Sequence, residues 1–442
     1  LRNVSGVEGQ REGNPPSLFQ ATYNHAVTNL SDNGDGTGEI SWAEICFGDL
    51  LVDANTDPVA GDAVTDAANE CLPSSAGTID GVTFSASGLS ANLPAETLVN
   101  AEDDSEIELG STSLDMIAVD TDRSLFIGQS VRDVAYEETN SFTDGIELSA
   151  HVLSEKATGR TVAELEGTWG FVVRRLVVDD TQPNNLEYSA SSLIVDVDST
   201  GNATRTSELN RLAIQGLEAG SSSATFEKPA ENTGQQSIGS LSIADDGSLN
   251  LLDGEFGGIL SKDANVLFLA LMNPVDPQAD PTLVTEPEWI TGVRISDTFT
   301  SADLEGKEYT VISQSYWVEP GLFEVDYLEP GATLSFPVGG GPASHTRATS
   351  FAYAEFADNL PLIRESDALE TIALQYSVNT NGRITLESDF GEPGIIDLEL
   401  NGFATPDNRM LVLETTLIAE DSDGTTQIGG VGITYAVCVN CD

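Results

Sequence analysis

The sequence predicts an all-β protein: three tandem antiparallel β-barrel or β-sandwich domains of about 140 residues each, with an occasional short helix. Three observations predict it. A set of landmarks recurs in the same order three times along the chain. Within each unit apolar and polar residues alternate with period two, between turn pairs such as Asp246-Gly247 and Asn381-Gly382. Helical periodicity is scarce throughout.

The landmarks run as follows. An apolar residue precedes an aromatic by four or five positions at Phe19–Tyr23, Leu165–Trp169 and Leu304–Tyr309. An acidic turn then feeds an apolar strand, superposing Leu125, Leu267 and Leu411. A glycine-led strand closes each unit, at Gly145, Gly292 and Gly430. The units are an N-terminal extended segment 1–17 and β-barrel repeats at 18–161, 162–301 and 302–442, the last ending in a Cys-x-x-Cys tail. Ser240–Ile243 and Ser248–Leu251 flank Asp246-Gly247, and Leu374–Val378 and Arg383–Leu386 flank Asn381-Gly382. These are hairpins, because Asp-Gly and Asn-Gly supply the positive φ angles of tight turns. Asp80-Gly81 and Asp144-Gly145 are further expected turns. Ser207–Leu217 and Leu360–Leu369 each have room for a short helix.

Gly167 with Trp169, and Gly306 with Tyr309, open their units as Leu-Glu-Gly-Thr-Trp and Leu-Glu-Gly-Lys-Glu-Tyr. This opening, followed by a meander of hairpins, resembles the lipocalin-like (calycin) β-barrels, whose first strand carries Gly-x-Trp. The resemblance implies a barrel architecture whose interior holds a small apolar ligand. It assigns no ligand residue here.

Seventy-two acidic side chains against 18 basic ones give a formal net charge of -54. Such a surface repels nucleic acid, whose phosphates need Lys and Arg, and repels anionic membranes for the same reason. At 40% hydrophobic residues the chain is not disordered. The acids are spread along the whole length, a distribution that keeps a protein dispersed in strong salt. A marine or halophilic prokaryotic source and an exported protein are expected. No segment reaches the roughly 18 apolar residues of a membrane span; the longest apolar run, Val266 to Met272, has the length of a strand.

Four cysteines in an exported chain predict two disulfides, with three connectivities open. The simplest pairs Cys46 with Cys71 and Cys438 with Cys441. Asn33, Asp35, Thr37, Glu39, Ser41 and Glu44 fit the oxygen-donor spacing of a calcium loop, with Gly38 at position six. The flanks alternate like strands, which favours the tip of a long hairpin instead. No cofactor other than calcium is suggested. Three histidines, His25, His151 and His345, fall in different repeats, and Ser344 and His345, adjacent in an extended chain, point oppositely. No catalytic constellation emerges, so no enzyme is expected. Trp42, Trp169, Trp289 and Trp317 read as core, with Trp317 the one candidate for an exposed contact. Ordered termini on a linear array suggest head-to-tail assembly. The expectation is an exported extracellular or cell-surface structural protein that self-assembles into a filament. The alternative is a lipocalin-like binding protein for small apolar or glycan ligands.

Overall fold

The alternating segments pair into three antiparallel sheets of 11, 9 and 11 strands in the computed structural model. It describes residues 2–9, 18–33, 35–53, 64–73, 78–85, 87–99, 106–138, 141–155, 159–179, 185–216, 225–227, 230–244, 247–251, 256–271, 288–296, 298–319, 322–355, 363–388, 397–420 and 427–441. In each sheet eight strands close on themselves as a barrel, drawn in turn from residues 2–154, 167–294 and 308–438. The third barrel carries an extension, in which Leu322–Leu328, Thr349–Glu355 and Ile363–Ser366 pair outward from the opening strand Glu308–Glu319.

The register refines the repeat. In the second and third barrels the opening strand pairs with the closing one, setting Trp169 opposite Arg294 and Tyr309 opposite Cys438. In the first barrel Arg2–Gly9 takes that place, paired with Ser141–Ser154 on one side and Leu18–Asp32 on the other. Phe19–Tyr23 therefore lies on a second strand and is not the counterpart of Leu165–Trp169. The apolar strands superpose as Phe126, Leu267 and Leu411, one residue from the expected Leu125. A backbone bond closes each preceding turn, and Arg123, Ala264 and Asn408 hold its positive φ of 57°, 59° and 61°. Gly430 pairs with Trp317 and Gly292 with Phe171, so these two glycines are not equivalent.

Burial explains why these strands are apolar throughout. On Val266–Leu271, Leu267 and Leu269 face the core of their own barrel, while Val266, Phe268 and Ala270 face outward. Phe126 and Leu411 likewise fill barrels one and three, and Leu125, Ile127, Met410 and Val412 point out. The outward residues of all three barrels meet in one shared core, joined there by Val172, Val293, Ile312, Ile433 and Tyr435. A strand buried on both faces loses the polar half of its alternation. Contact is close: a Cβ on Gly170 would stand 2.1 Å from a ring carbon of Phe403. Trp289 Nε1 donates to the Tyr435 hydroxyl across the same junction at 2.6 Å.

Polar groups are also enclosed between the second and third barrels. Arg211, on Asn202–Gly216, donates to Glu399 at 2.8 Å, and Asn401 donates to the same oxygen at 2.7 Å. Glu414 stands fully buried 3.9 Å from Arg211 Nε, with neither carboxylate oxygen hydrogen-bonded among the described residues. Burial pushes its carboxyl up to about 8, with Arg211 pulling the other way. Arg383 binds Glu231 at 2.6 Å and the Ser192 carbonyl at 3.0 Å.

Two expected helices are strands. Ser207–Leu217 falls on Asn202–Gly216, and Leu360–Leu369 contains Ile363–Ser366; residues 217 and 360–362 lie outside the described ones. The first is a strand because its outer face, with Ser207 and Arg211, is buried against the third barrel. Asp80-Gly81 and Asp144-Gly145 also lie inside strands, Gly81 (φ 75°) filling a bulge opposite Gly38 and Glu39. The short helices sit elsewhere, at Val162–Leu165 and Ser301–Leu304, just before Gly167 and Gly306. Among the described residues no helix is long and apolar enough to cross a membrane.

Candidate ligand cavity in the third barrel

The third barrel is packed at one end and hollow towards the other. Leu304 closes the packed end, where the Tyr309 and Phe336 rings meet edge-on at 5.8 Å and Phe336 meets Tyr376 at 4.9 Å. Along the opening strand the inward positions read Tyr309, Val311, Ser313, Ser315, Trp317. Where the two serines replace apolar residues, a cavity of about 230 Å³ lies inside the barrel, bordered by the extension at Asp326, Leu328 and Phe351.

One wall is a line of hydroxyls on three adjacent strands. Thr415 and Thr434 hydroxyls are 2.5 Å apart, and Thr434 donates to Ser313 Oγ at 2.7 Å. Read in that direction the line runs Thr415 to Thr434 to Ser313 and leaves the Ser313 proton for the cavity. Beyond Thr415 the wall turns apolar, with Leu398, Leu400 and Leu417. Across from it stands His345, 3% exposed. Its Nδ1 is 3.0 Å from the Thr333 carbonyl, which only an N–H can satisfy. Nε2 therefore carries the lone pair, and it has no partner among the described residues. Burial lowers the His345 pKa to about 4, so the ring is neutral at ordinary pH. Arg347 also borders the cavity, but its Nε is held by Glu370 at 2.9 Å.

The residues expected from sequence fall elsewhere. Asn33 and Asp35 sit at the tip of the hairpin joining Leu18–Asp32 to Thr37–Asp53. The Thr37 N–H and hydroxyl both bind Asp35 Oδ1, at 3.0 and 2.5 Å, and hold its carboxyl below the usual range. Glu39, Ser41 and Glu44 follow along the extended strand, which carries Glu44 away from Asn33. The same tip recurs in the second barrel. There Asp198 accepts from Thr200 and Asn202, and Gly201 O binds Leu241 N–H as Gly36 O binds Phe84 N–H. Among the described residues no group of three His, Cys, Asp or Glu is placed to hold a metal ion.

Cys438 and Cys441 form a disulfide, and Cys46 stands opposite Cys71 in register. Ser344 is exposed while His345 is buried, as the alternation requires. Trp317, the expected surface contact, is buried in the third barrel's core, since the strand holding it continues the inward series. The cavity itself was missed. Its sequence signal is Ser313 and Ser315 at inward positions of a strand that is otherwise apolar inside, readable only once the face is known.

No family model matches the chain, and no curated protein matches it. Its fold is similar, weakly, to solved structures. Kievitone hydratase from Nectria haematococca is 10% identical over 63% of this chain and 91% of that one, at a TM-score of 0.18. A DUF3598-family protein of unknown function from Nostoc punctiforme is 12% identical over 62% and 96%, at 0.16. Transferrin binding protein B from Haemophilus parasuis is 7% identical over 99% and 94%, at 0.20. At these scores none carries an argument about what this protein does.

Proposed function

We propose that the protein is an exported binding protein whose third barrel takes a small ligand. The cavity carries this reading: about 230 Å³ of half-open space lined by a neutral imidazole whose Nε2 has no partner among the described residues. A ligand donor set against Nε2 would make a hydrogen bond worth about 0.5–1.5 kcal/mol net. The disulfide and the spread acidic surface fit an extracellular setting. The test is native mass spectrometry of protein purified from its own source. A bound small molecule, lost when Leu400→Trp fills the cavity, is the expected outcome. An empty cavity in native material, with no uptake from a metabolite extract, would sink the reading.

A second reading, self-assembly, has its own supporting observation. The first barrel is closed by Arg2–Gly9, hydrogen-bonded on both sides. A strand that closes a barrel by backbone pairing is one that two molecules can exchange, joining head to tail. Filaments by negative-stain microscopy, absent when residues 1–9 are deleted, are expected. A monodisperse monomer at high protein and salt concentration argues against it.

A further inference from the structure

The walls of the third-barrel cavity are sorted by chemistry, and the sorting narrows the ligand. Size comes first. At about 30 Å³ per water the space holds roughly eight waters. It falls below the roughly 300–1,000 Å³ of sites for drug-sized ligands. The space takes up a single sugar ring but not the whole of a long acyl chain.

Charge comes next. An anion would need a free cation, since an unpaired carboxylate is costly to bury. The cation bordering the cavity, Arg347, is paired with Glu370, and His345 is neutral because burial disfavours its charged form, its Nδ1–H being donated to Thr333. Of the two carboxylates at the border, Asp326 is buried and already engaged within the protein, and Asp367 is exposed to solvent, which weakens the case for a cation. What remains are neutral groups of both senses: the Ser313 hydroxyl proton and Ser315 as donors, and His345 Nε2 as acceptor. A ligand answering them must both give and take hydrogen bonds, which is the property of an alcohol.

Arrangement comes last. The hydroxyls of Ser313, Ser315 and Thr434 stand on neighbouring strands, and Leu398 and Leu400 stand beyond Thr415 in the same wall. A pyranose or cyclitol ring has a rim of hydroxyls and a face of C–H groups. We propose that the third barrel binds one neutral polyhydroxylated ring of monosaccharide size. Its hydroxyls lie on the Ser313–Thr434 line and on His345 Nε2, and its C–H face lies against Leu398 and Leu400. This rests on the binding-protein reading above and specifies its ligand.

Calorimetry of the full chain against glucose, galactose, mannose and myo-inositol tests it, with palmitate and choline as probes of the other classes. Saturable binding of at least one polyol is expected. Thr434→Val, which removes the hydroxyl at equal volume, should weaken it about tenfold. His345→Phe should do the same or more. Ser315→Ala provides a third variant if either fails to fold. Binding of palmitate or choline without any polyol overturns the ligand class and leaves the binding reading standing. Polyol binding unchanged in all three folded variants overturns the placement. No binding of any probe overturns the class, and an empty cavity in native material overturns the reading beneath it.

Discussion

Trp169 and Tyr309 occupy one register position in two barrels, and each is held by its own chemistry. The Trp169 indole N–H donates to the Leu165 carbonyl at 2.8 Å, and the Arg294 guanidinium lies 4.7 Å above its ring. Arg294 also ties the strand start to the closing strand through the Glu166 carbonyl at 2.6 Å. In the third barrel Cys438 takes the place of Arg294. There the disulfide to Cys441 turns the tail back, so that Asn440 donates to Gly306 O at 3.0 Å and accepts from Glu308 N–H. Trp169→Phe should cost about 1–3 kcal/mol, because it leaves a buried carbonyl without its donor. A lowered urea midpoint at unchanged slope would be the evidence. At this scale the sequence was half legible. Gly167 and Trp169 stood out as a motif, but Arg294 lies on a strand 125 positions away, and nothing local marks it as their partner. Glu414 was illegible for the same reason, as one acid among 72. Its folded pKa, near 8, exceeds the unfolded value of about 4.5. The unfolded chain therefore gives up this proton first. Stability from this group is complete below about pH 4.5 and is lost as pH rises towards 8. Glu414→Gln should flatten the fall in urea midpoint between pH 5 and pH 8, and an unchanged slope would show that the carboxyl ionises in place.

Among the elements, hairpins were the best read and helices the worst. The turns that hold Gly247 and Asn381-Gly382 do join adjacent strands, because a short turn closed by a backbone bond is a local event. The acidic tip at Asn33–Thr37 is a hairpin of the same kind as Asp198–Asn202, so its calcium-like spacing reflects turn chemistry that both barrels share. The helix expected over Ser207–Leu217 failed because its apolar and polar residues are sorted between a barrel interior and a second barrel, and no single period describes that. The two real helical turns were signalled by capping boxes. The Thr161 and Thr300 N–H groups bind Glu164 and Asp303 at 2.9 and 2.8 Å. Where the second barrel's opening strand meets Asp397–Ala404 of the third, a missing side chain is the fit. Gly170→Ala should destabilise by about 1–3 kcal/mol through its clash with Phe403. Pairing it with Phe403→Leu should recover part of that loss. Strict additivity of the two in a double-mutant cycle would mean the contact is not what limits packing.

For the molecule as a whole, a charge of -54 surrounds a core that three barrels share. Repulsion among the carboxylates works against the packing and is screened beyond a Debye length, which shrinks from about 10 Å at 0.1 M salt to about 3 Å at 1 M. The thermal midpoint should therefore rise steadily from 0.1 M to 2 M sodium chloride, and a flat response would place the charges too far apart to matter. Three barrels in chain order were legible because the repeat runs through the sequence. Their mutual packing was not, because outward apolar residues at Val266, Phe268 and Met410 look the same in sequence as inward ones. That shared core has a consequence for any attempt to take the protein apart. A fragment of residues 162–301 would carry Val172, Phe268 and Val293 on a bare wall, and the readiest cover for that wall is another copy of the fragment. It is expected to elute as an oligomer in size-exclusion chromatography, whereas a folded monomer would show that the wall tolerates water. Carrying three barrels on one chain supplies the missing neighbours at an effective concentration that dilution cannot lower.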